Sequence, residues 1–218
     1  MQRTRMINRL WKHHLPLFFG SMLSIAVLYF TRPFRDPISR ASFATAYPAV
    51  VLLLATLLIG PWNVLRKKRN PVSSDLRRDV GIWAGIISIV HSVIGQCVHL
   101  RGRPWLYYVY ENRSQHLLPL RHDLFGFANF TGMGGALLVL VLLLTSADYA
   151  LRALGTPQWK QLQRWNYAAC ALAIAHTLAY QVSEKKTSGV LASTVFSAGL
   201  VLLVQVMGLR MRAQSRNA

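Results

Sequence analysis

The sequence predicts an all-α fold: an integral membrane bundle of six transmembrane helices in one domain over residues 1–218, with both termini cytoplasmic. Three observations predict it. The chain is 53% hydrophobic and only 15% charged, more apolar than a water-soluble domain usually is. Six stretches free of Lys, Arg, Asp and Glu recur along it, each near the ~20 residues that one helical crossing of a bilayer requires. The 25 Lys and Arg, against 7 Asp and Glu, all fall outside these stretches. A nucleic-acid-binding protein would instead gather its cations on a face of a soluble fold, so their placement excludes a nucleic-acid partner and points to membrane lipid.

The stretches lie at 15–31, 41–65, 80–100, 124–147, 165–183 and 188–209. The first is read as retained, because no small-residue cleavage site follows it and Thr31-Arg32-Pro33 leads straight into the second. The second carries Pro48 and Pro61, both near its ends. A basic Asn-Pro-Ser segment, 66–74, joins it to the third. The 101–123 connection is the long one and holds Trp105, Tyr107, Tyr108 and Tyr110, a density that suits a segment lying in the outer interface. Cys97 and Cys170 both fall within spans and form no CxxC pattern, so they read as small apolar residues. Sixteen of the cations flank one set of span ends and nine the other. The cytoplasmic side carries the excess, which puts both termini inside.

An ionisable side chain within a span is costly and defaults to a functional hypothesis. His91, His99 and His176 qualify, whereas His13, His14, His116 and His122 fall in termini or loops, where a histidine needs no special account. His91 is eleven residues beyond Val80 and His176 eleven beyond Trp165, so each lies roughly 16 Å from its inner helix end. His99 lies about 12 Å further out than His91. Two imidazoles at one depth on two helices can pair with each other structurally, or hold a ligand between them. Zinc wants four ligands including thiolate or carboxylate, and the spans contain no carboxylate. Haem iron needs only axial ligands, which facing helices of a bundle supply. Small residues near the histidines suit close approach to a flat macrocycle as well as ordinary helix packing. They are Gly95, one turn from His91, the alanines around His176, and Gly132, Gly134, Gly135 and Ala136 on the fourth span.

Two ordered motifs carry a resemblance. Asp75-Leu76-Arg77-Arg78-Asp79-Val80-Gly81-Ile82-Trp83 leads into His91, and Trp159-Lys160-Gln161-Leu162-Gln163-Arg164-Trp165-Asn166-Tyr167 leads into His176. Together they resemble the ferric reductase-like transmembrane domain family, and within it the branch of haem-binding membrane subunits that serve periplasmic methionine-sulfoxide reductases. The likeness covers about residues 52–180. It implies one haem b with His91 and His176 as iron ligands, in a bacterial inner-membrane protein. It also implies electrons passing from a cytoplasmic or quinone donor to an outer-side acceptor protein or ferric ion. Relatives with a second, inner haem use histidines where this chain has Gln163 and Arg78.

On this reading Ser88 or a carbonyl one turn before His91 orients its imidazole, and Arg101, Arg103, Arg121, His99 and His122 are available to the haem carboxylates. Arg77 and Arg78 read as interfacial anchors or as part of a donor site. No G-x-G-x-x-G or other nucleotide signature occurs, so the chain reads as an oxidoreductase subunit whose flavin or quinone is supplied through a partner. The alternative is a six-helix transporter or assembly protein with a non-haem histidine pair.

Overall fold

The computed structural model describes residues 2–31, 34, 36–67, 75–100, 102–112, 114, 116–184 and 188–217. It is helical throughout: α1 (Gln2–Arg9), a π-helical turn (Leu10–His14), α2 (Leu15–Thr31), α3 (Pro37–Leu65), α4 (Asp75–Gly95), a 3-10 turn (Pro104–Tyr107), α5 (Leu124–Leu144), α6 (Asp148–Gln163), α7 (Asn166–Ser183) and α8 (Ser188–Asn217). Among the described residues no β-strand forms. An antiparallel bridge between Val109 and Leu120 closes the 102–123 segment on itself.

Capping residues set two starts. Asp36 accepts from Ser39 N at 2.8 Å with Pro37 at the first helical position of α3, and Asp123 accepts from Gly126 N at 2.8 Å at the start of α5. Each satisfies an amide that has no partner inside its own helix.

Among the described residues five helical stretches are long and apolar enough to cross a membrane: Met6–Thr31, Pro37–Leu65, Asp75–Gly95, Leu124–Leu144 and Leu191–Met211. The chain is accordingly an integral membrane protein. The expected 165–183 span appears as α7, which is not among the five because its face carries Asn166, His176, Thr177, Tyr180 and Gln181. Three further expectations change. The third span ends at Gly95 rather than residue 100 and begins at Asp75, so His91 sits one turn from the end of α4. The fourth ends at Leu144, and the connection to α7 is itself a helix, α6, kinked at Gly155 (φ +73) ahead of Pro157. Asp79, expected just outside a span, lies within α4 and is fully buried.

The Asp79 carboxylate is held from the N-terminal helix. Arg9 pairs with it through Nε (3.2 Å) and through a shorter contact from its terminal nitrogen. His13 Nδ1 lies at 2.7 Å and His14 Nε2 at 3.3 Å, so these two histidines are not the unengaged terminal groups expected. The π-turn brings all three basic residues onto one side of the helix. Pairing is what makes a buried carboxylate tolerable there.

Helix contacts are most extensive between α3 and α4 and between α5 and α7. Both pairs are antiparallel: Thr45 meets His91 while Thr56 meets Arg77, and Ala128 meets His176 while Gly135 approaches Leu172. α8 lies along α3, with Gln205 Nε2 donating to Leu57 O at 2.7 Å. Leu53, Leu54 and Leu57 of α3 form the core with Ala84, Val139, Leu142, Ala169, Cys170 and Val201. α4 and α7 make little backbone contact with each other. The space left between the two pairs is where the histidines meet.

Candidate functional site

His91 projects from α4 and His176 from α7 into one cavity of about 500 Å³, within the range of roughly 300–1,000 Å³ seen for small-molecule and cofactor sites. Their ring centroids are 6.3 Å apart with planes at 72°. Both rings are anchored by the same nitrogen to a neighbouring helix. His91 Nδ1 lies 3.0 Å from Ser42 O and 3.3 Å from Thr45 Oγ1 on α3. His176 Nδ1 lies 2.7 Å from Ala128 O on α5. A carbonyl only accepts, so Nδ1 carries the hydrogen and Nε2 keeps its lone pair. Among the described residues nothing hydrogen-bonds either Nε2.

The second anchor depends on one missing side chain. A Cβ at Gly132 would sit 2.5 Å from His176 Nδ1, inside any tolerable contact. Gly132 is one helical turn beyond Ala128, so its bare backbone is what lets the imidazole reach that carbonyl. This glycine therefore makes room for the His176 ring. Gly135, where a Cβ would meet Leu172 and the α7 backbone at 3.5–3.9 Å, serves close packing of α5 on α7. Tyr180, one turn after His176, packs its ring against the imidazole at 5.0 Å and donates to Asn129 Oδ1 at 2.9 Å.

The remaining expected residues divide. Gly95 and Ser88 line the cavity. The Ser88 carbonyl accepts from Ser92 Oγ at 2.8 Å, and the group that orients His91 is the Ser42 carbonyl on α3. Own-helix carbonyls are directed along the helix axis, away from a side chain that points outward, which is why the acceptor comes from the facing helix. Arg121 is absent from the cavity wall. It pairs with Asp123, lies 3.4 Å from Leu106 O, and stacks over Phe125 and Tyr110 at 4.7 and 5.2 Å. Arg103 pairs with Glu111 and His122 sits beside Tyr110, while Arg101 lies outside the described residues. His99 does line the cavity, 3.5 Å from Glu184 and stacked on Tyr180 at 6.4 Å.

A second cavity of about 590 Å³ lies at the far end, where α4 and α7 begin. Its wall includes both Gln163 and Arg78. Arg78 donates to Ser146 O at 2.7 Å and to Asp148 at 2.6 Å, and Arg77 to Thr56 O at 3.0 Å, so these arginines tie α4 to its neighbours.

Sequence reasoning missed Ser42 and Ala128, since a backbone carbonyl leaves no signature in residue type, and also Thr45, whose hydroxyl meets His91 from a different helix. Tyr180 and Asn129 were within reach, as a tyrosine at i+4 from a span histidine and an amide in an otherwise apolar helix.

The geometry can be tested against a metal held between the rings. Two collinear metal–imidazole bonds of about 2 Å each, plus roughly 1.1 Å from nitrogen to ring centre on either side, put centroids about 6 Å apart. The observed 6.3 Å is close to that separation. Among the described residues no group of three or more His, Cys, Asp or Glu converges as a tetrahedral zinc site would need. The donor set thus fits a metal whose other ligands come from a macrocycle.

No family model matches the chain. Among curated proteins it is 30% identical over 144 residues to the protein-methionine-sulfoxide reductase heme-binding subunit MsrQ of Yersinia pseudotuberculosis serotype O:1b (strain IP 31758), which is 66% of this chain and 64% of that relative. It is likewise 30% identical to the MsrQ of Yersinia pestis (strain Pestoides F), over 66% of this chain and 63% of the relative. The chain thus covers a little under two thirds of the length of these relatives. Sequence and site converge on one comparison: this is a helical membrane protein similar, over 66% of its residues, to the haem-binding subunits of protein-methionine-sulfoxide reductases.

Proposed function

We propose that the chain is a b-type haem-binding electron-transfer subunit of the bacterial inner membrane, with His91 and His176 as the axial ligands of one haem. The observation that carries this reading is the pair of imidazoles 6.3 Å apart between ring centroids in one cavity, each held at Nδ1 by a backbone carbonyl so that its Nε2 keeps a lone pair. The relatives' printed name, a heme-binding subunit, supports it.

When bound, the haem supplies a one-electron iron couple. His91 and His176 would hold the iron, and ligation by two imidazoles would favour electron transfer over oxygen chemistry. Ser42 O and Ala128 O hold the Nδ1 protons and so would keep both Nε2 lone pairs available to the iron. The apolar walls from Leu53, Val139 and Ala169 exclude water. Electrons enter from a cytoplasmic or quinone donor at the end of the bundle where α4 and α7 begin, and leave toward an acceptor at the 102–123 segment. Both termini lie in the cytoplasm, a flavin is contributed by a partner where one is used, and the resemblance to methionine-sulfoxide reductase subunits makes an oxidoreductase on the opposite side of the membrane the acceptor.

The test is optical. Protein purified in detergent should show haem absorption that sharpens on dithionite reduction, at one haem per chain, and His91→Ala and His176→Ala should each lose it. A colourless preparation loaded with excess haem, or a His91→Ala variant with the full spectrum, overturns the assignment.

A further inference from the structure

Thr45 is the side chain that α3 brings to the His91 ring, and it is buried there. Three groups lie within hydrogen-bonding reach of its hydroxyl oxygen: Ala41 O at 2.8 Å, Ser42 O at 3.1 Å and His91 Nδ1 at 3.3 Å. A hydroxyl has one hydrogen to give. Both carbonyls can only accept it, so toward the imidazole Oγ1 is left to act as an acceptor, whichever carbonyl takes the hydrogen.

The Ser42 carbonyl shows what that acceptor adds. It has two lone pairs, and the α-helical bond to the amide four residues on occupies one of them. His91 Nδ1 at 3.0 Å and Thr45 Oγ1 at 3.1 Å compete for the other. The shorter bond to Ala41 O relieves the competition by taking the Thr45 hydrogen, and a hydroxyl that donates is polarised toward accepting. The Nδ1 hydrogen of His91 is then shared between Ser42 O and Thr45 Oγ1. At the other ring the arrangement differs. Among the described residues His176 Nδ1 reaches Ala128 O alone, at 2.7 Å, and the neighbouring hydroxyl of Thr177 gives its hydrogen to Ala173 O at 2.7 Å without bonding either imidazole.

We infer that Thr45 is a positioning residue for His91: its hydroxyl draws on the Nδ1 hydrogen, makes Nε2 a stronger donor to iron and so lowers the reduction potential of the haem. The inference rests on the haem reading above and deepens it. Outer partners of a ligating imidazole raise its donor strength, and hydrogen bonding around the axial ligands is one of the levers that set a haem potential. A stronger donor favours the ferric state.

The experiment is a redox titration of the haem-loaded full chain in detergent, followed optically. Thr45→Val keeps the branched shape and removes the hydroxyl. It should move the ferric-to-ferrous ratio at a fixed applied potential about threefold toward ferrous, a rise of ~28 mV in midpoint at 59 mV per tenfold for one electron. Thr45→Ser, which keeps the hydroxyl, should titrate with the wild type, and so should Thr177→Val, which removes a hydroxyl from the same cavity wall. A Thr45→Val midpoint equal to that of the wild type, or the same shift in Thr45→Ser or in Thr177→Val, overturns the role of the Thr45 hydroxyl and leaves the histidine ligands standing. A wild type that binds no haem overturns the haem reading and this inference with it. Thr45→Ala lacks the same hydroxyl and carries the same expectation, so a Thr45→Val chain that does not fold still leaves a decisive measurement.

Discussion

Replacing Gly132 with alanine adds a single methyl group at the point where the site has least room. The new carbon would lie 2.5 Å from His176 Nδ1 and 2.8 Å from Cε1, against the ~3.5–4.0 Å at which non-bonded heavy atoms rest. Something must move by about 1 Å, and α5 is pinned against α7 at Gly135, so the imidazole moves. The 2.7 Å bond from Nδ1 to Ala128 O then passes beyond about 3.5 Å and is lost as a hydrogen bond. Removing the group that orients a metal-bound histidine typically costs roughly 10–100-fold in affinity, or about 1.4–2.7 kcal/mol. Haem titration of the purified variant, read as Soret absorbance, measures this directly. Gly134→Ala is the control, because a Cβ there meets only Leu172 Cδ1 at 3.6 Å, an ordinary contact. Equal haem affinity and identical reduced spectra for both alanine variants would refute the claim that Gly132 exists to seat the His176 ring.

Three further outcomes are expected. The Tyr107 hydroxyl, in a fully buried side chain, accepts from His99 N–H at 2.6 Å and lies 2.7 Å from His99 O and 3.2 Å from Gly95 O. Tyr107→Phe orphans that amide and should lower stability in denaturant titration by about 1–3 kcal/mol. Asp79→Asn takes the counter-ion from the partly exposed Arg9 and should cost about 1–3 kcal/mol, while Asp148→Asn, at a half-exposed pair with Arg78, should change stability by about 1 kcal/mol or less. The Arg121 guanidinium and the Gly126 amide hold the Asp123 carboxyl below its ordinary value of 3.8. A depressed carboxylate stabilises the folded state above its unfolded pKa, and that contribution is lost as pH falls through the folded value. Protection of the 102–123 segment against hydrogen exchange should therefore decline below about pH 4 in the wild type and show no such step in Asp123→Asn.

How much of this was legible in sequence depended on whether the signal was carried by residue type. Charge-free stretches mark the long helices because the bilayer imposes their length. The two histidines stood out because an imidazole in a span is rare, and the structure brings their rings together. Less was legible where the partner is main chain or distant in sequence. The carbonyls of Ser42 and Ala128 look like any other carbonyl, and Asp79 finds Arg9, His13 and His14 some 65–70 residues away, which no local pattern announces. α6 falls in the connection between two expected spans, where no charge-free stretch announces it, and the kink at Gly155 joins its two helical pieces. Arg121 looked available because sequence shows a cation but not its partner, and Asp123 two residues on had already claimed it.

The coordination state of the iron tests the account most directly. Electron paramagnetic resonance of the ferric, haem-loaded protein should give a low-spin signal from a six-coordinate iron with two nitrogen ligands. His176→Gly should convert it to high spin, and added imidazole should restore it. A wild-type signal that is high-spin, or one that is unchanged by His176→Gly, would contradict ligation by the His91–His176 pair.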